Sequence, residues 1–413
     1  MNKKLIALAI AGVFGVPLTA TAAPGDGVTL FGRVQAEYGS IDIDQVAGPN
    51  DYRQESISDN AGTSRWGLMI TEDLGGGLKA NARIEYGFRT GNGVLDNVRE
   101  QWVGLSGQHW GALQFGRVQS PFKDFAGGGT LDPFSSTNLQ ARGSGGAMYA
   151  PGNGMGAASH VDHSIRYNSP IWGGFSMALL LSPVDATQTD AINGGGNLGG
   201  KGGTQNYQIG VKYKVGASGE IFGGYYNDEA SDAQVAIVTN GKNGDDEQVW
   251  RIGTAWNFGN FRIAGQYEKI ENALAGNGGT SCSGGASANG NGDAGISTNQ
   301  CNTAMNTNGD GDIWFLTTQY KIGKTTLVLQ GGQTKADAVS NAAGVVQASE
   351  REAKNLTVGA IHSITKRTRV FGGYQRVSVD GARNVANTTT TGTAVLATQP
   401  DRSVWSLGLR HDF

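Results

Sequence analysis

The stretch Leu78-Lys79-Ala80-Asn81-Ala82-Arg83-Ile84-Glu85-Tyr86-Gly87-Phe88 alternates without a break. Leu78, Ala80, Ala82, Ile84, Tyr86 and Phe88 form one set, and Lys79, Asn81, Arg83, Glu85 and Gly87 the other. A period of two puts the sets on opposite faces of a β-strand, whereas a helix would scatter both around its axis. Working outward, the same pattern recurs on both sides. Upstream, Val28, Leu30, Val34, Ala36 and Tyr38, with Gly32 among them, oppose Thr29, Arg33, Gln35 and Glu37. Downstream, Tyr207, Ile209, Val211, Tyr213 and Val215 oppose Asn206, Gln208, Lys212 and Lys214. The polar faces carry real charges. Two sheets packed face to face show this alternation as well, so periodicity leaves both a sandwich and a barrel open.

Composition narrows the choice. Of 413 residues 67 are glycine, apolar types reach 38% and charged types 16%, which suits neither a greasy helical bundle nor a charged disordered chain. The glycines follow no three-residue period and prolines number only 9, so collagen is excluded. A net charge of -3 gives no basic footprint for nucleic acid. Lys3 and Lys4 precede the apolar run Leu5 to Leu18, followed by the small residues Ala20-Thr21-Ala22. This reads as a cleaved signal peptide over 1–22, leaving 23–413 as one domain in an oxidising compartment. A cut after Ala23 would put Pro24 first and is disfavoured. No later stretch approaches the ~20 apolar residues of a membrane helix; the longest candidate, Phe175 to Leu181, is bounded by glycines and Pro183. If the chain spans a membrane, it does so with strands.

Connector lengths decide between the alternatives. Short connectors fall at 73–77, 107–110, 170–173, 216–218, 258–260, 323–324 and 365–367. Between them lie longer polar connections centred near 50, 92, 140, 195, 237, 292, 343 and 390. Together they predict an all-β fold: a 16-stranded antiparallel transmembrane β-barrel, closed because lipid cannot hydrogen-bond an open sheet edge. Each strand has roughly 24 residues with its share of loop, enough for a tilted span of ~10. In the last strand Trp405, Leu407, Leu409 and Phe413 share a face, with His411 among them. Tyr38, Trp66, Tyr86, Trp102, Trp172, Trp250 and Trp256 stand near strand ends, as interfacial girdles require.

Particular runs then carry a family resemblance. They are Val28-Thr29-Leu30-Phe31-Gly32-Arg33-Val34, Ser64-Arg65-Trp66-Gly67-Leu68, Arg99 to Leu105, Leu113-Gln114-Phe115-Gly116-Arg117, Ser164-Ile165-Arg166-Tyr167-Asn168-Ser169-Pro170 and the terminal Phe413. In this order and spacing the chain resembles the general trimeric porins of Gram-negative bacteria over essentially its whole mature length. The resemblance implies an outer-membrane homotrimer whose water-filled channels pass small hydrophilic solutes and ions by diffusion. Outer-membrane lipid, lipopolysaccharide and the barrel-assembly machinery are the implied partners, Phe413 is the assembly signal, and no cofactor is needed. It also implies that the third extracellular loop, residues 119–161, folds inward. Its Gly127-Gly128-Gly129, Gly143, Gly145-Gly146 and Gly152 suit close packing.

Parity locates the wall charges that such a loop would face. Arg33, Arg65 and Arg83 lie on the polar faces of their strands, and Arg99 shares the face of Gln101. The family's arginine cluster maps to Arg33, Arg65 and Arg99. His160 stands where many relatives carry a further arginine, which makes the cluster weaker and pH-sensitive, and Arg166 is its partial replacement. Asp124 and Asp132 are the expected acidic side of a transverse field across the constriction. A substrate-selective channel on the same barrel, or an adhesin built on the long loops, are the competing readings. The first needs an aromatic slide along the lumen, and the inward faces offer little beyond Phe31.

Other chemistry is thin. Cys282 and Cys301 share the long connection 272–311, and in an oxidising compartment a disulfide is the default reading, closing a loop of about 20 residues for roughly 3 kcal/mol. Free thiols or metal ligands find no CxxC in support. Asn306-Thr307-Asn308-Gly309-Asp310-Gly311-Asp312 resembles the start of a calcium loop, but its twelfth position is Thr317 rather than Glu. His160 and His163 are three apart, which brings side chains together on a helix but not on a strand, so no metal site is expected. The five histidines are dispersed and no hydrolase, P-loop or dinucleotide motif occurs, which argues against an enzyme.

Overall fold

The computed structural model describes residues 26–43, 52–59, 64–93, 95–125, 131–141, 160–183, 206–228, 246–272, 310–337, 339–340, 346–348, 350–380, 382–385, 395–398 and 401–413. The expected signal peptide, Cys282 and Cys301, most of the 272–311 connection and the middle of 119–161 lie outside the described residues.

Strands form where the alternation predicted them. They are β1 (Gly27–Ile43), β2 (Tyr52–Ser58), β3 (Arg65–Gly75), β4 (Leu78–Phe88), β5 (Leu95–Gly107), β6 (Gly111–Gln119) and β7 (His160–Asn168). Next come β8 (Phe175–Ser182), β9 (Asn206–Val215), β10 (Gly219–Asp228), β11 (Glu247–Phe258), β12 (Phe261–Glu271), β13 (Gly311–Ile322) and β14 (Thr325–Ala336). The short β15 (Val339–Ser340) and β16 (Val346–Ala348) precede β17 (Arg351–Ser363) and β18 (Thr368–Asp380). After β19 (Ala382–Val385) and β20 (Val395–Thr398) the meander ends in β21 (Arg402–Asp412). One short helix, α1 (Pro121–Asp124), starts at Ser120, whose hydroxyl accepts from the Lys123 amide.

Every long strand pairs antiparallel with its sequence neighbour, and β1 pairs with β21 from Arg33↔Asp412 to Ile43↔Arg402. The other edge of β1 is shared: β3 covers Gly27 to Arg33, and β2 covers Glu37 to Ile43. These two segments stand end to end in one wall position, so the sheet closes as a 16-stranded barrel. At the break Ser64 substitutes for ladder bonds: its hydroxyl accepts from the Gln35 amide at 3.0 Å and donates to the Gln35 carbonyl at 3.2 Å.

The expected short connectors all occur as tight turns. One of them joins Ile322 to Thr325 through two residues, with Gly323 at φ 58, where a side chain would be strained. Two long connections add a structure that the alternation did not predict. Strands β15, β16, β19 and β20 form a separate four-stranded sheet, and segments of two to four residues are too short to show a period.

Burial is inverted relative to a sandwich. Leu30, Ile252, Leu356, Leu407 and Leu409 are exposed, whereas Gln35, Gln208, Glu268, Gln330 and Gln375 are buried. A sandwich hides its apolar faces, so this distribution selects the barrel. Among the described residues no helix is long and apolar enough to cross a membrane.

The described parts of the connection after β6 lie on the polar face of the wall. The Arg251 Nη1 on β11 donates to the Phe122 carbonyl at 2.7 Å. Gln330 on β14 and Gln375 on β18 both donate to the Leu139 carbonyl, at 3.3 and 2.9 Å. The Asn138 amide donates to Glu37 at 2.9 Å, and the Ser136 carbonyl accepts from Gln35 at 2.7 Å and Arg410 at 3.0 Å. Wall glycines receive its apolar side chains. A Cβ on Gly210 of β9 would meet Phe125 at 3.0 Å, and one on Gly359 of β17 would stand 2.7 Å from the Phe134 ring.

Candidate functional site

Four successive wall positions bring Arg33 (β1), Arg65 (β3), Arg83 (β4) and Arg99 (β5) to the polar face, with Arg33 and Arg65 directly opposite in register. Three of them converge on one carboxylate. Glu85 on β4 lies 3.6 Å from the Arg65 Nε and 2.5 Å from the Arg99 Nε, and it also pairs with Arg83. Arg83 reaches on to Glu100 at 3.3 Å and lies over the Phe31 ring, 4.5 Å from its centroid. Arg33 pairs instead with Asp412 of β21 at 2.7 Å, a carboxylate shared with Arg369 at 3.7 Å.

The layering matters as much as the pairing. The Glu85 side chain is 2% exposed and that of Glu100 10%, whereas the four arginines are 19% to 25% exposed. The acids lie beneath the guanidinium groups and hold them apart from one another, so the solvent-facing layer is cationic. Glycine makes the room: a Cβ on Gly67, which faces Glu85 in register, would stand 2.6 Å from Phe31.

The remaining expected site residues are placed differently. Arg166 is 6% exposed; its Nη1 donates to the Gln119 carbonyl at 2.6 Å and its Nε to Asn168 at 3.0 Å, which pins the strand end that launches the long connection. His160 opens β7 opposite Gln119 and is partly buried. Between them the ladder shifts register at Gly116/Val118, and His163 takes φ 51, an irregularity typical of a β-bulge. Asp132 is held by backbone amides of its own connection. It is 1% exposed, one oxygen accepting from the Phe134 amide at 3.0 Å and the other from the Ala141 amide at 2.8 Å. Local turn chemistry has claimed it, since an Asp in a loop bonds readily to backbone amides a few residues on. Asp124 closes α1, and its side chain lies outside the described residues.

Sequence parity put Glu85 on the polar face without giving it a partner, and it passed over Glu100, Asp412, Arg369 and Arg410. The signal was present for Asp412, Arg369 and Arg410, which stand at alternating positions of strands already predicted, whereas Glu100 is adjacent to Arg99 and joins the same cluster because the β4–β5 ladder shifts register between Glu85 and Tyr86. What parity lacks is register, which decides which residue of the next strand stands opposite. The same holds for Arg251 and Glu268, both fully buried, with Nε to Oε2 at 2.6 Å and the guanidinium over the Phe122 ring at 4.1 Å. No group of three His, Cys, Asp or Glu residues suited to a metal ion occurs among the described residues.

Comparison with known proteins agrees with this architecture. A sequence profile described as Gram-negative porin matches residues 7–382. An outer membrane porin protein of Bordetella pertussis is 33% identical over 212 residues, 47% of this chain and 51% of that one, so the match spans about half of that relative. Outer membrane porin protein 32 of Delftia acidovorans is 26% identical over 389 residues, 90% of this chain and 88% of that one. The anion-selective porin from Comamonas acidovorans superposes with a TM-score of 0.64 at 20% identity, covering 94% of this chain and 100% of that one. OmpF of Salmonella typhi, in a complex with daunomycin, gives 0.59 at 14% identity over 94% of this chain and 98% of that one. With the profile covering most of its length and the closed barrel on the page, the chain belongs to the Gram-negative porin family of the outer membrane.

Proposed function

We propose that this porin forms a water-filled channel for passive diffusion of small hydrophilic solutes and that it prefers anions. The observation that carries the preference is the layered cluster, in which Arg65, Arg83 and Arg99 outnumber Glu85 and Glu100 and cover them, while Arg33 beside them pairs with the exposed Asp412. A cationic layer raises the local anion concentration and opposes cations at the same place. The connection 119–161 is the inward-folded loop that narrows the passage. Its hydrogen bonds to strands far apart around the barrel support that reading, because one short segment reaches them all only from within. A structure of the same fold is titled an anion-selective porin, in line with this assignment.

The assembled form is a homotrimer in contact with outer-membrane lipid and lipopolysaccharide, delivered through removal of residues 1–22. Phe413 would be read by the assembly machinery. Purified protein in a planar bilayer tests the central claim. In a potassium chloride gradient the reversal potential should take the sign of anion preference, and Arg65→Glu should move it toward cations. Absence of conductance steps would overturn the channel, and an unchanged reversal potential in Arg65→Glu would remove Arg65 from the constriction.

A further inference from the structure

Alternation alone suggests that Trp102 belongs to an interfacial girdle, but register puts it inside the barrel. It stands opposite Arg83 of β4, and its indole Nε1 donates at 2.9 Å to Glu100, two residues away on the same face of β5. Val103 and Leu105, of opposite parity, are exposed on the outer face. Trp102 is therefore an aromatic side chain of the inner wall, and it is only half-buried. Phe31 of β1, also half-buried, joins it there. Its ring leans across Gly67 of β3, where a Cβ would stand 2.6 Å away, and Arg83 covers the ring at 4.5 Å from the centroid. Two aromatic rings thus flank one guanidinium on the inner wall. Glu100 braces the arrangement, since it also accepts the Arg83 Nε at 3.3 Å.

The neighbours of this surface say what it suits. Arg65, Arg83 and Arg99 all meet on Glu85, so an anion seated on Arg65 and Arg99 leaves any group attached to it within reach of Arg83 and the rings beside it. The three arginine side chains stay 24%, 25% and 19% exposed, whereas Glu85 and Glu100 lie beneath them, so an incoming carboxylate meets guanidinium before it meets acid. A guanidinium presents a donor fork to a carboxylate and a flat face to an aromatic plane, and indole is the strongest of the aromatic partners for a cation. We propose that this surface is a binding site for aromatic monocarboxylates, the carboxylate on Arg65 and Arg99 and the ring against Phe31, Arg83 and Trp102. An aliphatic acid of the same size gains the charge contacts without the stacking. The site rests on the reading that solutes diffuse through the barrel and gives that passage a preferred class of solute.

Isothermal titration calorimetry of the full-length protein in detergent at pH 7 reads binding without requiring conductance. The probes are sodium benzoate and sodium cyclohexanecarboxylate, equal in charge and similar in size, of which only the first has a π face. Benzoate should bind more tightly. Trp102→Ala should weaken benzoate about fivefold, the worth of one aromatic pair, and leave cyclohexanecarboxylate much less affected, so that the ratio of the two affinities falls. Trp102→Phe should keep most of the preference. Trp102→Leu, which fills the place without a π face, is the variant to use if the alanine protein does not fold, and it too should lose the preference. Arg65→Gln should weaken both acids alike, and Trp250→Phe, on the outer face of β11, should match the wild type. Equal affinity for the two acids, or an unchanged ratio in whichever of Trp102→Ala and Trp102→Leu folds, would each overturn the site. In a planar bilayer, a chloride current that benzoate blocks no better than cyclohexanecarboxylate would overturn it too and leave the channel standing. Preferential benzoate binding by a protein that passes no current would strike at the channel reading and leave the site standing.

Discussion

Glu85 holds three guanidinium groups that would otherwise repel one another, and this makes it the most exposed point of failure among the wall residues. Removing its charge leaves Arg65, Arg83 and Arg99 without their shared counter-ion. Glu85→Gln should therefore destabilise the folded barrel by about 3 kcal/mol, measured by denaturant unfolding in detergent. The same variant should shift the reversal potential further toward anions, because the surviving layer is more positive. Opposite signs in stability and selectivity separate this role from a purely structural one. At this scale the sequence was a partial guide. Alternation put Arg33, Arg65 and Arg83 on the polar face; Arg99 was assigned by the parity of Gln101, which stands opposite Ile84 on the apolar face, and it reaches Glu85 through the register shift between Glu85 and Tyr86. Asp132 escaped prediction because its fate is set by the turn around Phe134 and Ala141, a geometry that strand parity does not describe.

Strand β9 and the helix α1 meet through a gap rather than a protrusion. Gly210 leaves the place that Phe125 fills, and the atoms a Cβ would meet there, on Phe125 and Pro121, belong to the connection and not to the wall. Gly210→Val should thus spare the strand pairing and push α1 toward the axis, lowering single-channel conductance in a planar bilayer. An unaltered conductance would mean that α1 does not border the passage. Elements with their own periodicity were readable from the sequence, and so were the turns between them. The interruption between β2 and β3 was not, because Ser64 makes it by bonding the backbone of a neighbouring strand. Strands β15, β16, β19 and β20 were unreadable for a different reason, being shorter than any pattern that could announce them.

For the molecule as a whole, the decisive quantity is which face is buried. A closed wall with exposed leucines outside and buried glutamines inside is stable only where hydrocarbon covers its exterior. We expect the purified protein to run as a trimer in mild detergent and to change mobility on heating as barrels unfold; a single-barrel species under gentle conditions would count against the trimer. The number of strands followed from connector lengths and closure from the need to leave no edge in lipid, whereas the register of β1 on β21 is something no local pattern contains.

That register carries a kinetic consequence. Arg33 meets Asp412 across 379 positions of chain, and Gly32 and Phe413 exchange backbone hydrogen bonds at 3.0 Å in both directions. Until the segment 402–413 is in place, the opening ribbon has nothing to zip against on one flank, so every earlier intermediate carries two sticky margins. Closure of the barrel is thus a late step of folding, with β21 as its latch.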